Sequence, residues 1–163
     1  MSALPPQDCS RCCRSDGEIF TCMKSRYEFD VDEARQLAGR GHDVMELDPE
    51  DVVYSVGRCQ INEGHVPHVN PEIPGIVAHI YFPDEDGTLA HGHRLIDGHH
   101  RAARCLQLGI PFPVRVLSEE ESLRVLNDAP PEVWEYRRQR LAAGRKKVRG
   151  KRRKARREAA AAG

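Results

Sequence analysis

Apolar and polar positions along the chain fall into short alternating runs, divided by polar breaks, that predict a small α+β fold. Residues 1–27 are polar, carry no sustained apolar period and read as an arm or small metal knuckle. Asp30 with Glu33 three residues on is a capping-box-like start for a helix over Val31–Ala38, which Gly39 and Gly41 can close. Val44–Leu47 reads as a short strand, and Asp48–Val53 as a turn with a single helical turn. The stretch Gly57–Pro74 is too polar for a core and reads as a loop bearing Asn62, Glu63, His65, His68 and Asn70. Two strands follow, Gly75–Phe82 and His91–Ile96, joined by a hairpin turn at Pro83–Gly87. Asp97-Gly98 then breaks the strand, His99–Leu108 reads as a helix, and Gly109 is its stop. Val114–Leu117 is another strand, and Ser118 with Glu121 forms a second capping box that opens a helix through about Asn127. Pro131 starts a last helix that Val133, Trp134 and Leu141 can dock. From Gly144 to Gly163 no apolar period recurs, so this end is expected to be disordered or only transiently helical. The predicted organisation is an arm and short helix over 1–43, a domain with a small mixed sheet and flanking helices over 44–127, and a helix with a basic tail over 128–163.

Composition adds two constraints. With 163 residues, 39% of them hydrophobic, the chain has room for one modest core. No apolar run approaches the roughly 20 residues that span a bilayer, and Met1–Asp8 lacks the order of a secretory signal, so a soluble, cytoplasmic protein without a membrane partner is expected. The balanced total of 25 Lys+Arg and 25 Asp+Glu conceals a division, because thirteen of the basic residues but a single acid, Glu158, lie from Arg137 onward. The end of the chain is therefore at +12 and the body at −12. Arg145, Lys146, Lys147, Arg149, Lys151, Arg152, Arg153, Lys154, Arg156 and Arg157 have no aromatic residues among them, which suits phosphate neutralisation on DNA or RNA rather than base stacking. The acidic body is the alternative partner for this tail.

The stretch that carries chemistry is Leu95-Ile96-Asp97-Gly98-His99-His100-Arg101-Ala102-Ala103, where a buried strand turns at Gly98 into a helix. A helix start leaves its first N–H groups unpaired and favours an anion, Arg101 adds a donor fork, and Gly98 admits a ligand to the backbone. The bland alternative is a helix start capped by Asp97, with a solvated Arg101 and no ligand.

Asp97-Gly98-His99-His100-Arg101-Ala102-Ala103, then Leu108-Gly109-Ile110-Pro111 and Val114-Arg115-Val116-Leu117-Ser118-Glu119-Glu120-Glu121, resembles the core of the ParB/sulfiredoxin superfamily. The resemblance covers about residues 44–127. It implies that the Gly-x-x-Arg turn, here Gly98, His99, His100 and Arg101, holds phosphates of a nucleotide such as ATP or CTP with Mg2+. It implies a kinase-like use of a loop Glu, here Glu63, as base, or a metal-dependent nuclease; the enzyme reading of these residues is phosphoryl transfer or hydrolysis, with Arg101 and the helix start holding phosphates, His100 assisting and Glu63 or Asp97 as base. Sulfiredoxins carry Gly-Cys-His-Arg at this turn, and His99 stands here in place of the nucleophilic Cys. The DNA-binding and dimerisation domains of partition proteins have no counterpart in the chain, so a clamp cycle is not expected. The alternative function is a non-catalytic binding module on DNA or RNA, acting through the basic tail and nucleoid-associated.

Histidine and cysteine patterns complete the candidate chemistry. His91 and His93 alternate on one strand face and, with His99 or His100, can hold a divalent metal; otherwise they are exposed polar residues. Cys9, Cys12, Cys13 and Cys22 supply enough thiolates for Zn2+ or an iron–sulfur cluster, free thiols being the alternative. Cys105 reads as a small core-facing helix residue.

Overall fold

The structure is a computed structural model that describes residues 18–162. It opens with an antiparallel hairpin of β1 (Ile19–Cys22) and β2 (Tyr27–Asp30), in the register Ile19↔Asp30 to Cys22↔Tyr27. Tyr27 and Phe29 alternate inward and are fully buried. The described part of the expected arm is thus a structured hairpin. Its four-residue strands are too short to show a period, and its turn runs through Met23, Lys24 and Ser25, all at positive φ, with no glycine to announce it.

Asp30 accepts the Glu33 amide at 3.0 Å and caps α1 (Val31–Ala38), which buries Val31, Ala34, Leu37 and Ala38 on one face. Next come β3 (Met45–Leu47) and α2 (Pro49–Gly57). In α2, Asp48 caps the Glu50 amide and Pro49 occupies the first turn, so this helix runs longer than the single turn expected. The segment 58–74 is a loop, as its composition predicts, with one 3-10 turn at Val66–His68.

The central hairpin is β4 (Gly75–Pro83) with β5 (Leu89–Asp97), followed by α3 (His99–Leu108), which Gly109 ends at φ +64°. After β6 (Phe112–Val116), Ser118 and Glu121 form a complete capping box on α4 (Glu119–Arg124). The sequence placed helix through Asn127, but the chain leaves it after Arg124 and becomes β7 (Leu126–Asp128). The Asp30 amide donates to Val125 O at 2.8 Å and Phe29 pairs with Leu126, so burial of Val125 and Leu126 beside β2 outweighs helix continuation.

The fold is α+β, with two small sheets where one was expected. β1-β2-β7 form one antiparallel sheet, and β3-β6-β4-β5 form the other, with β4 and β6 parallel. One cluster joins Ile76, Ala78, Ile80 and Ile96 of this second sheet to Tyr27, Phe29, Leu37 and Leu123. A second joins Val77, Leu95, Phe112 and Val114 to Val52 of α2 and to Ala102 and Cys105 of α3. The sheet is thus covered on both faces, each buried Phe, Ile or Leu contributing roughly 1.5–3 kcal/mol.

The last element, α5 (Pro131–Ala161), buries Val133 and extends its basic half into solvent. At 1.5 Å per residue it is about 46 Å long. The end expected as disordered or only transiently helical continues α5, from a first turn docked at Val133 through Arg, Lys and Ala, residues of high helix propensity. Among the described residues no helix is long and apolar enough to cross a membrane.

Candidate functional site

β5 ends at Asp97, Gly98 is the N-cap, and α3 starts at His99. Gly98 has φ +100°, and a Cβ on it would lie 3.0 Å from Gly75 Cα and 3.2 Å from Phe112 Cζ. Both the conformation and the space require glycine. No side chain caps α3; the bond that starts the helix runs from the Ala102 amide to Gly98 O at 2.8 Å, after the amides of residues 99–101. These amides begin at the floor of a cleft of about 940 Å³ whose walls include Phe20, Arg35, Asn62, His65, His100 and Arg101.

Asp97 makes no cap bond to α3 and is paired with two arginines. Its carboxylate is buried and takes hydrogen bonds from Arg35 (Nε 3.0 Å, Nη2 2.9 Å) and from Arg101 Nη2 at 3.1 Å. Burial works to raise the carboxyl pKa, but the Arg35 hydrogen bonds and the charges of Arg101 and Arg35 overcome it and hold the group below the usual carboxylate range. Asp97 therefore stays ionised and positions Arg101. Arg35 also binds Glu18 at 2.6 Å, and its proton is held more firmly than usual, above all by the Asp97 hydrogen bonds. The sequence reading missed Arg35 and Glu18, which lie 62 and 79 positions from Asp97 and carry no local signal.

The two histidines differ from a cationic phosphate clamp. His99 is buried and stacks on Phe20 at a centroid distance of 5.1 Å; burial pushes its pKa down to about 4, against the pull of Asp97. It is neutral near pH 7 and packs the cleft wall. His100 is also shifted down, by burial and then by His65, whose ring lies 5.8 Å away. Its Nε2 accepts the Asn62 amide at 3.1 Å, which leaves the ring proton on Nδ1. His100 is thus a donor rather than a free base. Glu63 is exposed on the loop and does not line the cleft, although its neighbours Asn62 and His65 do, so the expected base is not brought to the phosphate turn.

His91 and His93 share a face of β5, as their spacing predicts. Their third partner is His79 of β4, not His99 or His100: ligand atoms of His79, His91 and His93 all lie within 4.8 Å of one another. Cys9, Cys12 and Cys13 fall outside the described residues. Cys22 lies half-buried on β1, its thiol pKa raised by burial against the lowering effect of Arg94. Cys59 lines the cleft, and burial raises its thiol too, which keeps it protonated and weakly nucleophilic. Cys105 is buried in α3, its Sγ 3.7 Å from Pro71 O. The basic residues from Arg145 to Arg157 are all exposed, and their sole ion pair among the described residues is Lys154 with Glu158 at 3.9 Å. They do not fold back on the acidic body.

Comparison of the chain with protein-family models, curated proteins and solved structures finds no match.

Proposed function

We propose that the domain binds a nucleotide or nucleic-acid phosphate at Gly98–Arg101, in the manner of a ParB/sulfiredoxin-like core. The observation that carries this reading is the uncapped α3 N-terminus opening, beside Arg101, on the 940 Å³ cleft. The order β5, Gly-x-x-Arg turn, α3, Leu108–Pro111, β6 and Glu-rich α4 start supports the family assignment. Asp97 engages one Arg101 nitrogen, so the remaining guanidinium donors are left for an anion. His100 Nδ1–H adds a neutral donor, and the apolar wall of Phe20, Val69 and Ile73 suits a base or sugar rather than phosphate alone. ATP or CTP with Mg2+ is the ligand class. Phosphoryl transfer or hydrolysis is the activity to assay once binding is found, with His100 and Arg101 in contact with the phosphates.

The test is calorimetric titration of Mg-ATP and Mg-CTP into the full chain and its Arg101→Ala variant. Arg101→Ala leaves Asp97 paired with Arg35, so the fold is retained. Loss of a charged hydrogen bond predicts weakening by about 10- to 100-fold. Equal binding by both proteins, or binding by neither, sinks the phosphate site.

A second reading, a non-catalytic DNA- or RNA-binding module, is favoured by the exposed basic half of α5, whose cations find little pairing among the described residues. The two readings differ in which part of the chain the phosphates touch.

A further inference from the structure

We propose that His79, His91 and His93 form a three-histidine site for a divalent transition-metal ion of the zinc class, with its open coordination position facing solvent and the Glu119–Tyr136 cleft. The site is built by strand register. His79 of β4 lies directly opposite His93 of β5, and Tyr81 opposite His91, so alternation places all three imidazoles on one face of the hairpin. Their ligand nitrogens converge within 4.8 Å, with His79 Nδ1 and His91 Nε2 at 2.7 Å. Nitrogens bound at about 2.0–2.1 Å to a tetrahedral ion are roughly 3.3 Å apart, so small side-chain rotations close the set around an ion. The rings already nest, His79 with His91 at 4.9 Å and His79 with His93 at 4.5 Å between centroids.

Three converging imidazoles are poorly suited to all carry protons and well suited to share a cation. Glu119 is the nearby acid acting on His79; Tyr136 donates to it at 2.6 Å and Arg140 at 2.7 Å, which fixes it as a negative charge beside the site. Tyr81, Leu89, His91, Glu119 and Tyr136 line a cleft of about 290 Å³, room for a water or small anion at the fourth position. Three neutral nitrogen donors select zinc, copper, nickel or cobalt over magnesium or calcium. The site shares no residue with the cleft at Gly98–Arg101 and does not depend on the phosphate reading.

The arm cysteines are competing ligands, so the test uses four full-length proteins: the parent, His91→Gln/His93→Gln, Cys9→Ser/Cys12→Ser/Cys13→Ser, and the combination. Zn2+ is titrated by calorimetry and Co2+ by absorption. The triple-serine variant, which keeps Cys22, Cys59 and Cys105, is expected to take one equivalent of Co2+ with visible d–d bands and no sulfur charge-transfer band. The histidine substitutions are expected to weaken that equivalent at least about 100-fold, two of three ligands having been removed. Both substituted histidines are exposed, which leaves the fold intact. In the parent, Zn2+ should shift the ring nitrogen resonances of His79, His91 and His93 together. No binding by the triple-serine variant, weakening of less than tenfold, or unshifted imidazole resonances at saturation each overturns the site.

Discussion

Replacing Asp97 tests the organisation of the Gly98–Arg101 turn most directly. The carboxylate is 8% exposed and joins two cations, Arg101 at 11% and Arg35 at 36% side-chain exposure. Asp97→Ala would leave the nearly buried Arg101 without its counter-charge, the situation that costs about 3–5 kcal/mol when one partner of a buried pair is removed. Arg35 reduces the figure, because it is partly solvated and keeps Glu18 at 2.6 Å. The expected loss is therefore about 3 kcal/mol, and with a urea slope of about 2 kcal/mol/M the midpoint should fall by about 1.5 M at pH 7. Asp97→Asn keeps hydrogen-bond acceptors without the charge and should lose about half as much. The pH dependence follows from the depressed folded-state pKa. The carboxylate's contribution is complete above its unfolded value of about 3.9 and disappears as pH falls through the lower folded value. The gap between parent and Asp97→Asn should hence be constant from pH 5 to 8 and close under strong acid. A midpoint change below about 0.3 M, or a gap that widens on acidification, would refute the charge assignment.

Three further outcomes are expected. Gly98→Ala places a Cβ at φ +100° against Gly75 and Phe112, and should destabilise by about 1–3 kcal/mol; thermal unfolding that is unchanged would contradict the packing described. His99 has its folded-state pKa lowered to about 4 against an ordinary value of 6.5, so the parent should lose stability as pH falls from about 6.5 to 4, by up to about 3 kcal/mol, and His99→Gln should flatten that slope in a urea series across pH. Deleting residues 144–163 removes ten exposed Lys and Arg between 145 and 157, and should reduce the salt slope of DNA or RNA binding by several units in filter assays; an unchanged slope places the contact elsewhere.

The central hairpin and the turn that follows it were legible because each step carries its own signal: a run of β-branched and aromatic residues in β4, alternating His91 and His93 in β5, a glycine break at Gly98, helix formers closed by Gly109, and a capping box at Ser118. The β1–β2 hairpin was not, since Tyr27 and Phe29 are the only fully inward positions over its two short strands and three left-handed non-glycine residues form its turn. β7 was hidden for a related reason: Val125 and Leu126 fit a helix as well as a strand, and pairing with Phe29, nearly a hundred positions earlier, decides between them. For the basic end, like charge points to disorder or a transient helix, and the nucleus at Pro131–Trp134 from which the helix propagates lies outside that stretch. At the site, local sequence gave the residues of the turn but not Arg35, which pairs with the Asp97 carboxylate from 62 positions away.

The register of β4 and β5 also decides how the histidines can act. The pairs Val77↔Leu95, His79↔His93 and Tyr81↔His91 follow one another along a single face, the first packed in the core with α2 and α3 and the next two bearing exposed imidazoles. His93 lies four residues before Asp97 on β5, a separation of about 13 Å along an extended strand. An ion held by His79, His91 and His93 at about 2 Å cannot also be ligated by His99 or His100 at the start of α3. A metal proposed there and phosphates proposed at Gly98–Arg101 would therefore not share one substrate atom. On the two proposals, β5 keeps the phosphate site at its C-terminal end apart from the metal site toward its middle, and substitution at either should leave binding at the other unchanged.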